Sequence, residues 1–206
     1  ETALCAFCFD LYYMRSTDSE RTWTIPFPLS DLAESGSDRI KIWEAASGRL
    51  YVSWDEGLDW YVGRGIPRDV RLRYSDDSGL TWSEPIILDG GDGGDSPKRP
   101  FQGTFTELLD GRLMAVWRYA SPDESQIYYQ ISADDGLTWS IPEVIEGFYG
   151  RSYIDSSSTL DHIALETDYM GIVHLFAVGQ TDPTSTLNVS LYQIEYRQDL
   201  WIPPRR

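Results

Sequence analysis

Cysteine, histidine, basic charge and long apolar runs are all scarce in this 206-residue sequence, and each scarcity excludes something. The two cysteines, Cys5 and Cys8, lie three apart in a stretch that reads as strand, where they face opposite sides. We therefore expect two buried free thiols rather than a disulfide, and one C-x-x-C pair with no second pair is too little for a zinc site. His162 and His174 are too far apart to add to it, and His174 is expected to be an ordinary packed strand residue. The longest apolar stretches, Leu113 to Trp117 and Ile172 to Val178, are strand-sized, far short of the roughly 20 residues of a membrane-spanning helix. Seventeen Lys and Arg stand against 33 Asp and Glu, for a net charge of -16. That balance argues against nucleic acid as a partner, because phosphates need cations to displace their counterions. Helical periodicity is scarce too, and no signal peptide is recognisable.

What is abundant is aromatic. Phe, Trp and Tyr make up 14% of the chain, and with β-branched residues they fall in short runs broken by Gly, Pro, Asp and Ser, the pattern of an all-β protein. An octapeptide also recurs. Ser16-Thr17-Asp18-Ser19-Glu20-Arg21-Thr22-Trp23, Ser75-Asp76-Asp77-Ser78-Gly79-Leu80-Thr81-Trp82 and Ser132-Ala133-Asp134-Asp135-Gly136-Leu137-Thr138-Trp139 share the pattern S-x-D-x-G-x-T-W, with Glu20 in place of glycine in the first. The period is about 58 residues, longer than the roughly 40 to 45 of a WD40 repeat. Flanking segments repeat as well. Ser47-Gly48-Arg49-Leu50 matches Asp110-Gly111-Arg112-Leu113, and Trp201-Ile202-Pro203 echoes the end of the third copy.

Each unit reads as four strands. In the second full unit they are 101–109, 113–119, 126–131 and 138–145, a meander of propeller-blade size. The chemistry of the octapeptide fits the reversal between strands three and four. Gly79 and Gly136 supply positive φ, Asp77 and Asp134 accept hydrogen bonds from turn amides, Ser and Thr tie the two arms together, and Trp is expected to bury its ring.

These boxes resemble the Asp-box, or BNR-repeat, proteins, which include sialidases, other glycoside hydrolases, sortilin-type receptors and non-enzymatic propellers. The resemblance covers essentially the whole chain. It implies an all-β propeller of four-stranded antiparallel blades, six in the sialidase kind, with about three and a half present here. The blades are 4–28 (incomplete), 29–90, 91–147 and 148–203. In the family the boxes are structural (here Ser16, Asp18, Trp23; Ser75, Asp77, Gly79, Trp82; Ser132, Asp134, Gly136, Trp139) and ligands bind at the opposite end. With a mid-blade start at Glu1, the expectation is that the remaining blades come from the same longer chain or a second copy.

The end away from the boxes holds the candidate site. The loop from Asp55 to Arg68 carries Asp59, Trp60, Tyr61 and Arg64, an aromatic pair beside charges that suits stacking on sugars and hydrogen bonding to hydroxyls. The plainer reading is a solvated loop with Trp60 tucked against its own blade. Connections between blades add Lys98, Arg99, Phe148, Tyr149, Arg151, Tyr153 and Asp155. The resemblance implies an arginine clamp for a carboxylate sugar, the first arginine opening an innermost strand in an Arg-Ile-Pro motif. Arg39-Ile40-Lys41 has that place without the proline. By that analogy Arg39 and an acid at Asp55 or Asp59 are catalytic candidates, and Arg99, Arg118 and Arg151 candidates for the clamp, but no Tyr and Glu pair is assignable. Asp89, Asp92 and Asp95 in a glycine-rich loop offer oxygen ligands to calcium, yet match no calcium motif, so an acidic connector and no cofactor is the reading. Asn188-Val189-Ser190 is a glycosylation sequon if the protein is secreted. The ligand expected is a glycan or a protein, at the cell surface or outside the cell, with a sialidase-type exo-glycosidase as the alternative.

Overall fold

The computed structural model describes residues 10–30, 36–58, 66–88, 99–120, 125–150, 163–184 and 189–206. All regular structure among them is antiparallel β-strand. A short hairpin pairs β1 (Tyr12–Tyr13) with β2 (Phe27–Pro28). A four-stranded meander follows, β3 (Gly36–Glu44), β4 (Leu50–Leu58), β5 (Ile66–Ser75) and β6 (Ile86–Ile87), each paired with the next. The second meander is β7 (Arg99–Glu107), β8 (Leu113–Ala120), β9 (Ser125–Ser132) and β10 (Glu143–Gly150), and the third is β11 (Ala164–Thr167), β12 (Val173–Gln180), β13 (Ser190–Arg197) and β14 (Leu200–Arg205). The end of β10 also pairs with β12, Tyr149 opposite Gln180, which joins these two meanders edge to edge.

Strand alternation gives each meander two apolar faces. Val52 and Trp54 pack with Leu11 and Leu29 of the hairpin side, while Tyr51, Val70 and Leu72 meet Leu113, Ala115 and Trp117 of the second meander. Its opposite face, with Met114, Val116, Ile127 and Phe148, packs on Val173, Leu175, Ile194 and Tyr196 of the third. The repeat seen in the sequence is thus a stack of sheets, each cored against its neighbours.

Three expectations need correction. The last strand of the second meander starts at Glu143, not Thr138, because Thr138 and Trp139 belong to the turn. Phe148 and Tyr149 lie in β10, not in a connection, and Phe148 is buried against Tyr192. Burial of the repeated tryptophan also fails at Trp23, which is 54% exposed, whereas Trp82 meets Tyr13 edge-on at 5.1 Å and Trp139 meets Phe105 at 6.3 Å. Trp82 takes its cover from the preceding hairpin, and nothing among the described residues precedes Trp23 in that way.

The turns themselves hold as reasoned. In the second copy Asp77 accepts from Thr81 N at 2.8 Å, Thr81 Oγ1 at 2.7 Å, Ser75 Oγ at 2.8 Å and Leu80 N at 3.0 Å. Asp18 and Asp134 repeat the bonds to Thr22 and Ser16 and to Thr138 and Ser132. Gly79 and Gly136 have φ of 81° and 79°; a side chain at Gly79 would run into Tyr13 of the preceding hairpin, and one at Gly136 would come 3.3 Å from Tyr51, a tight contact. Glycine is therefore required twice over at Gly79 and chiefly by its φ at Gly136. Glu20, at φ 67°, meets only the conformational demand.

Hydrogen bonds from the Thr81 amide, the Thr81 hydroxyl and Ser75 hold the Asp77 carboxyl down, from the usual 3.8 to about 2. The unfolded chain then takes up the proton first, so this stabilisation is complete above pH 3.8 and disappears as pH falls toward 2. A carboxyl-carbon NMR titration is expected to place the Asp77 midpoint near 2, and Asp77→Asn to flatten the loss of stability between pH 4 and 2. A midpoint near 3.8 contradicts the bonding seen here.

Candidate functional site

The first strands of the first two meanders share an irregularity. Pairing of β3 with β4 slips between Asp38 and Lys41, and pairing of β7 with β8 slips between Phe101 and Thr104. Inside each slip one residue takes a left-handed conformation, Arg39 at φ 52° and Gln102 at φ 58°. Because Asp38 faces Asp55 and Phe101 faces Arg118, the two bulges occupy the same place in the repeat. Bulges of this kind re-aim side chains, and non-glycine residues in this region are held there by their surroundings.

What holds them is Asp55. Its carboxylate is 1% exposed and accepts from Gln102 N at 2.6 Å, Gly103 N at 3.1 Å and Arg39 Nη1 at 3.4 Å. One side chain of the first meander thus grips the bulge of its own sheet and the bulge of the next. Gly103 sits so close to Val70 that any side chain there would collide with it. Burial pushes the Asp55 carboxyl above its usual range, with Arg39 and the two amides pulling the other way. Beside it Glu56, fully buried, accepts from Trp54 Nε1 at 2.6 Å and Ser37 Oγ at 3.2 Å, with Arg71 Nη1 at 3.9 Å. Arg71 also binds Asp69 at 3.0 Å.

Above this layer opens a cleft of about 210 Å³ lined by Arg39, Ile40, Lys41, Gln102, Gly103 and Ile163. Its charged lining is cationic. Burial lowers the Lys41 ammonium below its ordinary value, opposed by Asp55. A cation that is partly stripped of water gains more from an anionic or hydrogen-bonding ligand than a solvated one does.

The predicted residues are dispersed relative to this cleft. Arg39 lines it. Arg118 does not: it is 1% exposed, donates to Gln102 Oε1 at 3.2 Å and lies 5.3 Å from the Phe101 ring centroid, so it braces the bulge from beneath. Asp55, expected in a loop as a candidate acid, is a strand residue with both oxygens engaged, because β4 runs on to Leu58. Arg99 opens β7 opposite Ala120. Asp59, Trp60, Tyr61, Arg64, Arg151, Tyr153 and Asp155 lie outside the described residues, as do Cys5, Cys8, Asp89, Asp92, Asp95, Lys98, His162 and Asn188. His174 is partly exposed and pairs with Asp168 at 3.0 Å and Gln193 at 2.9 Å. Among the described residues no cluster of His, Cys, Asp and Glu is arranged to hold a metal ion, and no helix is long and apolar enough to cross a membrane.

Sequence reasoning missed Lys41, Gln102 and the Asp55 clamp. A signal was present in Val52-Ser53-Trp54-Asp55-Glu56, where consecutive carboxylates follow a tryptophan in a strand that must be buried on both faces. The bulge left no signal.

No protein-family model matches the chain, and none of the curated protein sequences does. Solved structures do match in fold. A protein of unknown function from Dyadobacter fermentans superposes with a TM-score of 0.65 at 16% identity over 96% of this chain and 58% of its own. The Hadza microbial sialidase Hz136 gives 0.59 at 18% over 94% and 40%, and the α-L-arabinofuranosidase Arb93A from Fusarium graminearum 0.59 at 17% over 82% and 48%. This chain is all-β, with sialidases and other glycan-processing enzymes of propeller-like fold as its structural neighbours. It spans less than three fifths of the length of each of the three.

Proposed function

We propose that this chain is the Asp-box propeller portion of a glycan-binding protein acting at or outside the cell surface, with the meanders as blades over 29–90, 91–147 and 148–203. On this reading the remaining blades come from the same longer chain or a second copy, and the ligand end is the one bearing Arg39, Lys41 and Gln102. The observation that carries it is the cationic cleft formed where two bulged first strands meet, in a protein whose net charge is -16. Cations concentrated in one cleft of an acidic protein select an acidic ligand and repel basic ones. Trp60, Tyr61, Arg64, Arg99, Arg151 and Tyr153 belong to the same end by their place in the chain and are proposed as further ligand contacts.

The second reading, a sialidase-type exo-glycosidase acting on terminal acidic sugars, is favoured by one feature: Arg39 is placed by a bulge in a first strand and lines the cleft. In that reading Arg39 holds the sugar carboxylate and Asp59 is the candidate acid.

A panel of uronate, sialoside and neutral glycans tests both. Acidic sugars are expected to bind, and Lys41→Ala to weaken them by roughly tenfold or more, the worth of one charge-assisted hydrogen bond, with the melting temperature unmoved. Uniform failure to bind sinks the first reading. Release of a fluorogenic leaving group from a sialoside selects the second.

A further inference from the structure

At the end where the octapeptide turns lie, the two sheet junctions differ. Between the first and second meanders, Arg49 clamps Asp76 through Nε at 2.6 Å and Nη2 at 3.1 Å, and donates through Nη1 to the carbonyl oxygen of Asp135 at 2.8 Å. Tyr51 Oη donates to the same oxygen at 2.9 Å. Gly136 then lies on the apolar floor, where a Cβ would come 3.3 Å from Tyr51 and 3.5 Å from Leu113. The eight-residue turn of the second meander thus plugs its junction with the first.

The next junction keeps the arginine but has Met114 at the position of Tyr51, and the third meander's turn reaches that arginine through the Asp199 side chain. Arg112 follows Gly111 as Arg49 follows Gly48, both glycines at φ 85°. It binds Asp110 through Nε at 2.8 Å and Asp199 through Nη2 at 2.7 Å. Nη1, the atom that holds the Asp135 carbonyl in the first junction, has no hydrogen bond among the described residues. The third meander reverses with two residues between its strands, Gln198–Asp199 with φ of 53° and 60°, where the first two have ten, 76–85 and 133–142. A cleft of about 400 Å³ remains, lined by Leu108, Asp110, Arg112, Gly171, Tyr196 and Asp199 among others. It continues the buried interface of the two meanders, whose core includes Leu108 and Tyr196. Its rim holds Leu109, 73% exposed, beside the exposed Arg197, Gln198 and Asp199.

We propose that this cleft receives a polypeptide turn of Asp-Gly type from a partner protein, its backbone carbonyl on Arg112 and its glycine over the apolar floor, as Asp135 and Gly136 sit on the first junction. The carbonyl dipole complements the guanidinium, and only a residue without a side chain approaches such a floor closely. This site is at the opposite end from the glycan cleft and does not depend on it.

The test is an amide NMR titration of the full chain with a cyclised peptide of the sequence Ser132 to Trp139. Shifts are expected at Asp110 to Arg112, Gly171 and Tyr196 to Asp199, with Arg112→Gln weakening binding at least tenfold and a peptide with valine at the glycine position binding more weakly. If Arg112→Gln fails to fold, Leu109→Asp gives the same reading at the rim. No shift at millimolar peptide, equal shifts from a scrambled peptide, or shifts of these residues by sugars instead would overturn the proposal.

Discussion

Asp55→Ala is expected to cost the fold about 3–5 kcal/mol, the usual consequence of removing one partner from a buried ionic group. The carboxylate is 1% exposed, and its loss leaves the Gln102 and Gly103 amides without their acceptor and deprives Arg39 of its partner. Asp55→Asn is no remedy, since an amide nitrogen would then face a backbone N–H. Asp38→Ala is the control. Asp38 contacts the same arginine at 3.8 Å and accepts from its backbone N at 2.8 Å but is 34% exposed, and its removal should shift stability by only about 1 kcal/mol. Chemical denaturation measures all three. Comparable effects for Asp55→Ala and Asp38→Ala would show that the clamp is not what joins the sheets. The loss should extend to the site, because Gln102 and Gly103, whose amides Asp55 holds, line the cleft together with Arg39.

Trp54→Ala should be about as damaging, in the range of about 3–5 kcal/mol typical of large-to-small changes at buried aromatics. A comparison within the repeat separates shape from hydrogen bonding. Trp54 and Trp117 hold the same place in successive meanders and are 1% and 0% exposed. The Trp54 indole donates to Glu56 at 2.6 Å, while the Trp117 indole nitrogen is buried with no hydrogen-bond partner among the described residues and its ring stacks on Tyr128 at 6.5 Å. Trp54→Phe leaves a buried carboxylate short of its closest donor and should cost about 2 kcal/mol more than Trp117→Phe. Equal losses in the two phenylalanine variants would mean that Glu56 draws nothing from the indole.

The sequence made the sheets legible because the octapeptide is local. Every contact that defines it, Ser to Asp, Asp to Thr, glycine at positive φ, falls within eight residues, so spacing alone exposes it. Strand positions followed from alternation, with an error at β10 where a turn residue, Trp139, resembles a strand residue in type. The candidate site was much less legible. Arg39 was reached by resemblance, but Lys41 and Gln102 enter the cleft through a register slip that no residue type announces. Asp55 looked like a loop acid because β4 runs past the last apolar residue of its pattern, its late positions being paid for by Gln102 and Gly103 of another sheet. A contact 47 residues away leaves no periodicity to read.

The two-tier organisation of contacts also bears on how the chain reaches its native state. Each meander is stitched by neighbouring strands, so its loop closures are short and fast. The joints between meanders span far more chain, 86 residues for Arg49 to Asp135 and 87 for Arg112 to Asp199. Individual sheets are therefore expected to assemble ahead of their stacking, with the Asp55 clamp, which needs two finished bulges, forming as one sheet docks on the next.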